Sequence, residues 1–190
     1  MTIAGLPPSE SVAHLAELTH QVLAWLDTFP GPLQEAPAAL RRACWSRGLT
    51  VTTATDGQPI DHSARRATRR YAELLLPVDA EGWMAALGPD DASAEAFWQR
   101  IDQVEGEGAR LAYWFDLQLT DVLSAPPGLE LVREVLLREL VSRGCPVDFT
   151  IHVPAHGPPV AHVLFVLRDP PRMAQQLYPE AVANRPLPER

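Results

Sequence analysis

The feature that most constrains this chain is the stretch 148–168, where two alternating, β-rich segments flank a turn rich in proline and glycine. This pattern predicts a β-hairpin. With Gly157 at the centre of the loop, His152 lies directly opposite His162. Facing residues on one side of an antiparallel pair have Cβ atoms about 5 Å apart. Two imidazoles at that separation can share one metal ion, at about 2.1 Å from each nitrogen.

One face of the predicted hairpin is polar. Alternation places Asp148, Thr150 and His152 on the same side of the first strand, with the intervening apolar residues against the core. His156 in the loop is expected to fold over this face as a third ligand, and three neutral imidazoles suit a divalent metal such as zinc or manganese. The alternative is that each histidine is an ordinary surface residue without a ligand.

Helical and strand-like periodicities predict the fold class. Long helices between strands predict an α/β (α+β) fold, with a mainly antiparallel central sheet that contains the 147–168 hairpin and is flanked by helices. Apolar residues recur at helical spacing in some segments and alternate in others. The predicted helices are 10–29, 34–47, 80–87, 94–106 and 129–143, and the further predicted strands are 49–55 and 110–119.

The chain is expected to divide into an N-terminal helical segment at 1–48, an α/β domain at 49–170 and a weakly ordered C-terminal tail at 171–190. No run approaches the ~18 consecutive apolar residues of a membrane-spanning helix, so no membrane association is expected. Without a secretory signal, we expect a cytoplasmic protein with reduced Cys44 and Cys145.

The charged residues give opposing indications about whether the protein binds nucleic acid. The formal net charge of −8 argues mildly against a protein that grips many phosphates. However, Arg65, Arg66, Arg69 and Arg70 form the densest basic patch and are the best candidates for a DNA-contacting surface. If this segment is helical, at least three of the four share a face. A solvated charged face is the commoner explanation of such a run.

A second group of arginines, Arg41, Arg42 and Arg47, lies toward the end of the predicted helix 34–47. Cations at a helix C-terminus interact favourably with the helix dipole, and we interpret these residues in that way. Contact with DNA is the alternative.

A motif can be read along 139–168: a helix ends in glycine, then come an Asp-x-x-Ile-His strand, a loop, and a proline followed by an Ala-His pair, apolar residues and an arginine. This arrangement resembles the MobA/MobL family of plasmid mobilisation relaxases, and the resemblance extends more weakly to cover residues 50–168. The corresponding residues here are Gly144, Asp148, Ile151, His152, Pro159, Ala161, His162 and Arg168.

The resemblance implies a function in DNA processing. Such relaxases nick one DNA strand at a transfer origin: a tyrosine attacks the phosphodiester, and a histidine-held divalent metal polarises the phosphate. It therefore implies a divalent metal (Mn, Mg or Zn) at His152, His162 and His156. The implied partners are single-stranded or origin-of-transfer DNA and another protein of a mobilisation complex.

Two departures from the family pattern bear on activity. Val160 stands where the family has the first histidine of Pro-His-Ala-His, so any metal is expected to be weakly held. The family nucleophile is an early tyrosine, whereas the first tyrosine here is Tyr71. Without a nucleophile, strand transfer stops, so nicking is expected to be impaired or lost. The alternatives are a non-catalytic interaction or DNA-binding module, and a water-using metal-dependent phosphodiesterase with three converging imidazoles.

Overall fold

The computed structural model describes residues 8–27, 34–35, 39–52, 58–77, 87, 90–105, 112–124 and 126–166. Within them, the helices are α1 (Pro8–Asp27), α2 (Ala39–Arg47), α3 (Asp91–Glu105), α4 (Asp121–Ser124) and α5 (Pro126–Glu139), with short 3-10 helices at Ser63–Ala67 and Val141–Arg143. The strands are β1 (Gln34–Glu35), β2 (Thr50–Thr52), β3 (Pro59–Asp61), β4 (Arg69–Leu75), β5 (Ala112–Gln118), β6 (Val147–His152) and β7 (Val160–Val166).

Five of these strands form one sheet in the order β1-β5-β7-β6-β4, and every neighbouring pair is antiparallel. The hairpin of β6 and β7 lies in the interior of this sheet, with β7 as its middle strand. The remaining two strands, β2 and β3, form a separate antiparallel ribbon. The predicted mixed fold, with a mainly antiparallel sheet and a central hairpin, is confirmed.

Helices cover both faces of the sheet. Alternate hairpin residues such as Phe149, Ile151 and Phe165 point into a core shared with α1 and α5. The opposite face packs against α2 and α3, with Trp98 as the largest fully buried side chain. Burying a large apolar side chain stabilises a fold by roughly 1.5–3 kcal/mol. Both faces therefore contribute to stability, and all six residues of β6 are buried.

The prediction contains no strand in the segment 61–75. The structure has a 3-10 helix there, followed by β4, which pairs with β6 along most of its length. The prediction missed β4 because Arg69–Leu75 is charged at its start and shows no clear alternation. The predicted helix 80–87, apart from residue 87, and the predicted tail 171–190 lie outside the described residues.

None of the described helices combines the length and the apolar character needed to cross a membrane.

Candidate functional site

The hairpin register differs from the predicted register by two residues. Thr150 pairs with His162, and His152 pairs with Val160, so the two histidines are diagonal neighbours and the prediction that they are direct partners is wrong. The reason is that the turn is centred one position before Gly157. A shift of two residues keeps each side chain on its face of the sheet. The two imidazole rings are therefore still close, with centroids 5.3 Å apart.

We call the group Asp148, Thr150, His152, Val160 and His162 the histidine face. The alternation of polar and apolar residues in the sequence placed these side chains together correctly. However, α2 and the 3-10 helix at 63–67 pack over them, and the four polar members are between 0% and 8% exposed. The polar row is therefore covered by the protein itself and is not an open binding surface.

Asp148 is held by a buried ion pair. Its carboxylate accepts hydrogen bonds from Nε and Nη2 of Arg47 at 2.8–3.1 Å and from the indole Nε1 of Trp98 at 2.7 Å. Arg47 is 1% exposed, and its Nη1 donates to Asp91 at 2.9 Å. These contacts join α2, α3 and β6, so Asp148 has a structural role that occupies both of its oxygens.

The same ion pair explains Arg47. Burial lowers the pKa of its guanidinium, but the charge and hydrogen bonds of Asp148 and Asp91 more than offset this, and the net pKa is raised. Arg47 thus stays charged inside the protein. Its position in the last turn of α2 suggested an interaction with the helix dipole and did not reveal a buried partner 101 residues away in the chain.

Both ring nitrogens of His152 are engaged. Nε2 lies 2.6 Å from the carbonyl oxygen of Ser46, and Nδ1 lies 2.9 Å from the hydroxyl of Thr68. A carbonyl only accepts hydrogen bonds, so Nε2 carries the proton and the lone pair of Nδ1 faces the threonine hydroxyl. Burial lowers the pKa of His152 to about 4. The imidazole is therefore neutral at pH 7, Nε2 has no lone pair for a metal, and the threonine hydroxyl lies over the lone pair of Nδ1.

His162 is engaged between a carboxylate and a guanidinium. Nδ1 lies 2.5 Å from Oδ1 of Asp116, and Nε2 lies 2.8 Å from Nη2 of Arg65. Guanidinium groups only donate, so Nε2 is the acceptor and Nδ1–H donates to Asp116. The lone pair that would bind a metal is directed at Arg65.

Arginine and tryptophan side chains stack beside His162. The guanidinium of Arg42 lies 4.0 Å from the ring centroid of Trp45 and 3.5 Å from that of Trp114, while the guanidinium of Arg65 lies 3.5 Å from the centroid of Trp45. Trp45 also meets His162 edge to face, with centroids 4.9 Å apart. Cation–π contacts of this kind contribute about 0.5–2 kcal/mol each. They fix the position of Arg65 over the histidine face.

The predicted basic patch divides into two pairs. Arg65 contacts His162, and Arg69 donates to Asp91 and to the carbonyl oxygen of Arg47 at 2.8–2.9 Å, so both serve the protein's own structure. Arg66 and Arg70 are exposed. The condition under which three of these arginines would share a helical face is not met, since the 3-10 helix ends at Ala67 and Arg69 begins β4.

A divalent metal does not fit the residues that are present. His156 is exposed in the turn at 155–157, whereas His152 and His162 are buried. Across the described ranges, no group of three or more His, Cys, Asp or Glu side chains is placed to hold a metal ion. The Thr150 hydroxyl is buried and has no hydrogen-bond partner among those residues. Val160, directly opposite His152, has an apolar side chain and offers no ligand.

The two tyrosines that the structure describes lie on the other face of the sheet. Tyr71 and Tyr113 pack against the core shared with α1 and α5. The hydroxyl of Tyr71 donates to Glu73 at 2.7 Å, and burial together with this carboxylate raises the pKa of Tyr71 to about 12. Neither tyrosine is therefore placed or activated to attack a phosphate at the histidine face.

Sequence reasoning missed several members of this site. Asp116 lies on the more polar side of the alternating strand β5. An acidic residue on that side could have been predicted to face the histidines of the hairpin. Trp45 and Arg42, three positions apart on α2, could have been read as a pair on one helical face. Thr68 and Ser46 contribute through geometry alone, since Ser46 offers a backbone carbonyl.

Comparisons with known proteins agree with this architecture. The chain matches the model of the MobA/MobL family over residues 38–176. It is 29% identical over 117 residues to conjugal transfer protein TraA of Rhizobium radiobacter and to that of Agrobacterium fabrum, and 26% identical to a probable conjugal transfer protein TraA of Sinorhizobium fredii. Each match covers 60% of this chain, which spans only 10% of the length of these relatives.

A solved structure described as the molecular basis of vancomycin resistance transfer in Staphylococcus aureus has a similar fold. Its TM-score is 0.53 at 24% identity, with 70% of this chain and 63% of the other chain covered. The family match spans the helix α2, the whole central hairpin and the histidine face between them. The chain therefore belongs to the MobA/MobL family.

Proposed function

We propose that this chain is a relaxase-like DNA-processing protein of plasmid or mobile-element origin that binds DNA and whose nicking activity is impaired or lost. The observation that carries the proposal is the engagement of every imidazole nitrogen of His152 and His162 by the protein itself. In the same proposal, the protein acts in the cytoplasm with a protein partner of a mobilisation complex.

The chemistry of nicking explains the expected loss. The family generally uses a divalent metal, which stabilises the charge that develops on the scissile phosphate. Here the position of that cation on His162 is taken by Arg65, and Val160 supplies no ligand. The described tyrosines lie across the sheet from this face. Manganese, magnesium or zinc would bind, weakly, only after Arg65 moves away.

DNA binding is proposed for the exposed basic residues beside the histidine face. Both Arg66, in the 3-10 helix, and Arg70, in β4, are solvent-accessible. Arginine contacts with phosphate do not depend on base sequence and weaken as salt increases. We therefore expect modest affinity for single-stranded DNA from an otherwise acidic chain.

A nicking assay tests the enzymatic part of the proposal. Supercoiled DNA that carries the cognate transfer origin is incubated with the protein and with manganese, magnesium or zinc, and relaxed product is measured on gels. We expect no relaxation above that of His162→Ala. Metal-dependent relaxation by the natural protein that disappears in His162→Ala would show an active nickase and overturn the proposal.

A binding assay tests the surface. We expect that Arg66→Ala combined with Arg70→Ala weakens binding of a fluorescent single-stranded oligonucleotide and reduces the slope of log K against log salt by about 1.4, roughly 0.7 for each lost phosphate contact. The matched control is Arg143→Ala, an exposed arginine at the opposite end of β6. If both variants bind like the natural protein, this surface is not the DNA site.

The two remaining alternatives have distinct signatures. An interaction module without DNA function would show no oligonucleotide binding at any salt concentration. A water-using phosphodiesterase needs three imidazoles on one ion, whereas in the described part of the chain the rings of His152 and His162 are the two that lie together. Hydrolysis of a chromogenic phosphodiester that depends on His156 would favour this enzyme.

A further inference from the structure

The contacts of His162 form a row that resembles the carboxylate–histidine–metal arrangement of one metal ligand, with a guanidinium in the place of the metal. Metal-binding histidines commonly donate their second ring N–H to a carboxylate, which fixes the ring and its tautomer. His162 makes this contact with Asp116 at 2.5 Å. On the other nitrogen, at the position of the metal, lies Nη2 of Arg65 at 2.8 Å.

We propose that Arg65 is the resident cation of this site, and that its guanidinium replaces the divalent metal on Nε2 of His162. The inference concerns the chain's own residues and holds whether or not the protein binds DNA. Arg65 supplies the positive charge that a carboxylate–histidine pair stabilises, so the pair does not need a bound metal ion for this purpose.

Three contacts keep the guanidinium in place. It stacks on the ring of Trp45 at 3.5 Å, it donates to His162, and it is attracted by the carboxylate of Asp116 behind that ring. Trp45 is itself fixed by Arg42 on its ring and by its edge-to-face contact with His162. A metal ion could reach Nε2 only by breaking the contact between Arg65 and His162.

The position of Val160 supports the same inference. Position 160 is directly opposite His152 and two residues from His162 on the same strand face. An imidazole at 160 would therefore lie beside both histidines. Val160 offers no ligand, so the chain has both an added cation and a missing ligand at one place. Each of the two changes alone disfavours a metal.

Calorimetric titration with Zn²⁺ and with Mn²⁺ tests the inference without an activity assay. We expect no saturable binding to the natural protein and weak binding to Val160→His. The combination of Val160→His with Arg65→Ala is expected to bind at least tenfold more tightly than Val160→His alone, because Nε2 of His162 is then free. The charge control is Arg41→Ala in the same Val160→His background, which removes an exposed arginine from α2 and should leave the affinity for the metal unchanged.

Two results would overturn the inference: micromolar metal binding by the natural protein, or equal affinities of Val160→His with and without Arg65→Ala. Circular dichroism establishes that each variant is folded. As a second measurement on the natural protein, long-range ¹H–¹⁵N NMR spectra report which imidazole nitrogen carries the proton. We expect Nδ1 of His162 to be protonated and Nε2 to be bare, and a proton on Nε2 would contradict the contact with Arg65.

Discussion

Replacing Asp148 with alanine tests whether this residue anchors the fold or serves a ligand. The substitution leaves Arg47 buried without its main partner, and breaking a buried ion pair from one side costs about 3–5 kcal/mol. Arg47 keeps its contact with Asp91, which is partly exposed, so the lower part of that range applies. Trp98 also loses the acceptor of its indole N–H, at a cost of about 1 kcal/mol or more.

We therefore expect Asp148→Ala to lower the free energy of unfolding by about 4 kcal/mol, a large part of the 5–15 kcal/mol typical of a folded protein. Urea denaturation followed by circular dichroism measures this change. Arg143→Ala is the matched control. Arg143 is 56% exposed and pairs with Glu139, so its removal should cost about 1 kcal/mol or less.

A double substitution separates the ion pair from the space that it fills. Replacing Arg47 with methionine and Asp148 with leucine removes both charges and leaves apolar groups of similar size. Such replacements are often neutral or stabilising, so we expect the double variant to be more stable than Asp148→Ala. The reasoning is refuted if Asp148→Ala is destabilised no more than Arg143→Ala, since Asp148 would then be free to serve a ligand.

Three further predictions follow from other sites. Burial lowers the pKa of His152 to about 4, so as the pH falls the unfolded chain takes up a proton before the folded chain does. The free energy of unfolding should therefore be constant above pH 6.5 and should fall by about 3 kcal/mol between pH 6.5 and 4. Denaturation measured across this pH range should show the fall in the natural protein and not in His152→Gln. Gly48→Ala should cost about 2 kcal/mol or more, because residue 48 has φ of +69° and its new Cβ would lie 2.8 Å from the backbone nitrogen of Arg66; an unchanged denaturation midpoint would contradict this. Burial raises the pKa of Cys44 to about 12 and that of Cys145 to about 11, so a disulfide reagent at pH 8 should label both thiols only after denaturation, and immediate labelling of the native protein would show that they are accessible.

The sequence predicted the fold class well because the information is local. Alternation in β5 and in the hairpin, and helical periodicity in α3 and α5, are visible within windows of about ten residues. The segment Arg69–Leu75 was missed because its place in the sheet depends on pairing with β6, almost 80 positions away in the chain. Pairing between distant segments leaves no periodic signal in the segment itself when its residues are mixed in polarity.

The sequence by itself determined which side chains of the hairpin share a face, and the family motif along 139–168 was readable without coordinates. Period-two alternation is a property of extended backbone and survives the two-residue error in register. What covers that face was decided only by the tertiary structure. Arg47, Arg65 and Trp45 reach the histidine face from segments about 100 residues away in the chain, because α2 and the 3-10 helix pack on the sheet. Burial then favours a partner within the protein for each polar group, and among the described residues most of these side chains have one, with Thr150 Oγ1 and Arg65 Nε as exceptions. This is why a row of residues that predicted a metal site in the sequence is, in the folded chain, a closed network of ion pairs and hydrogen bonds.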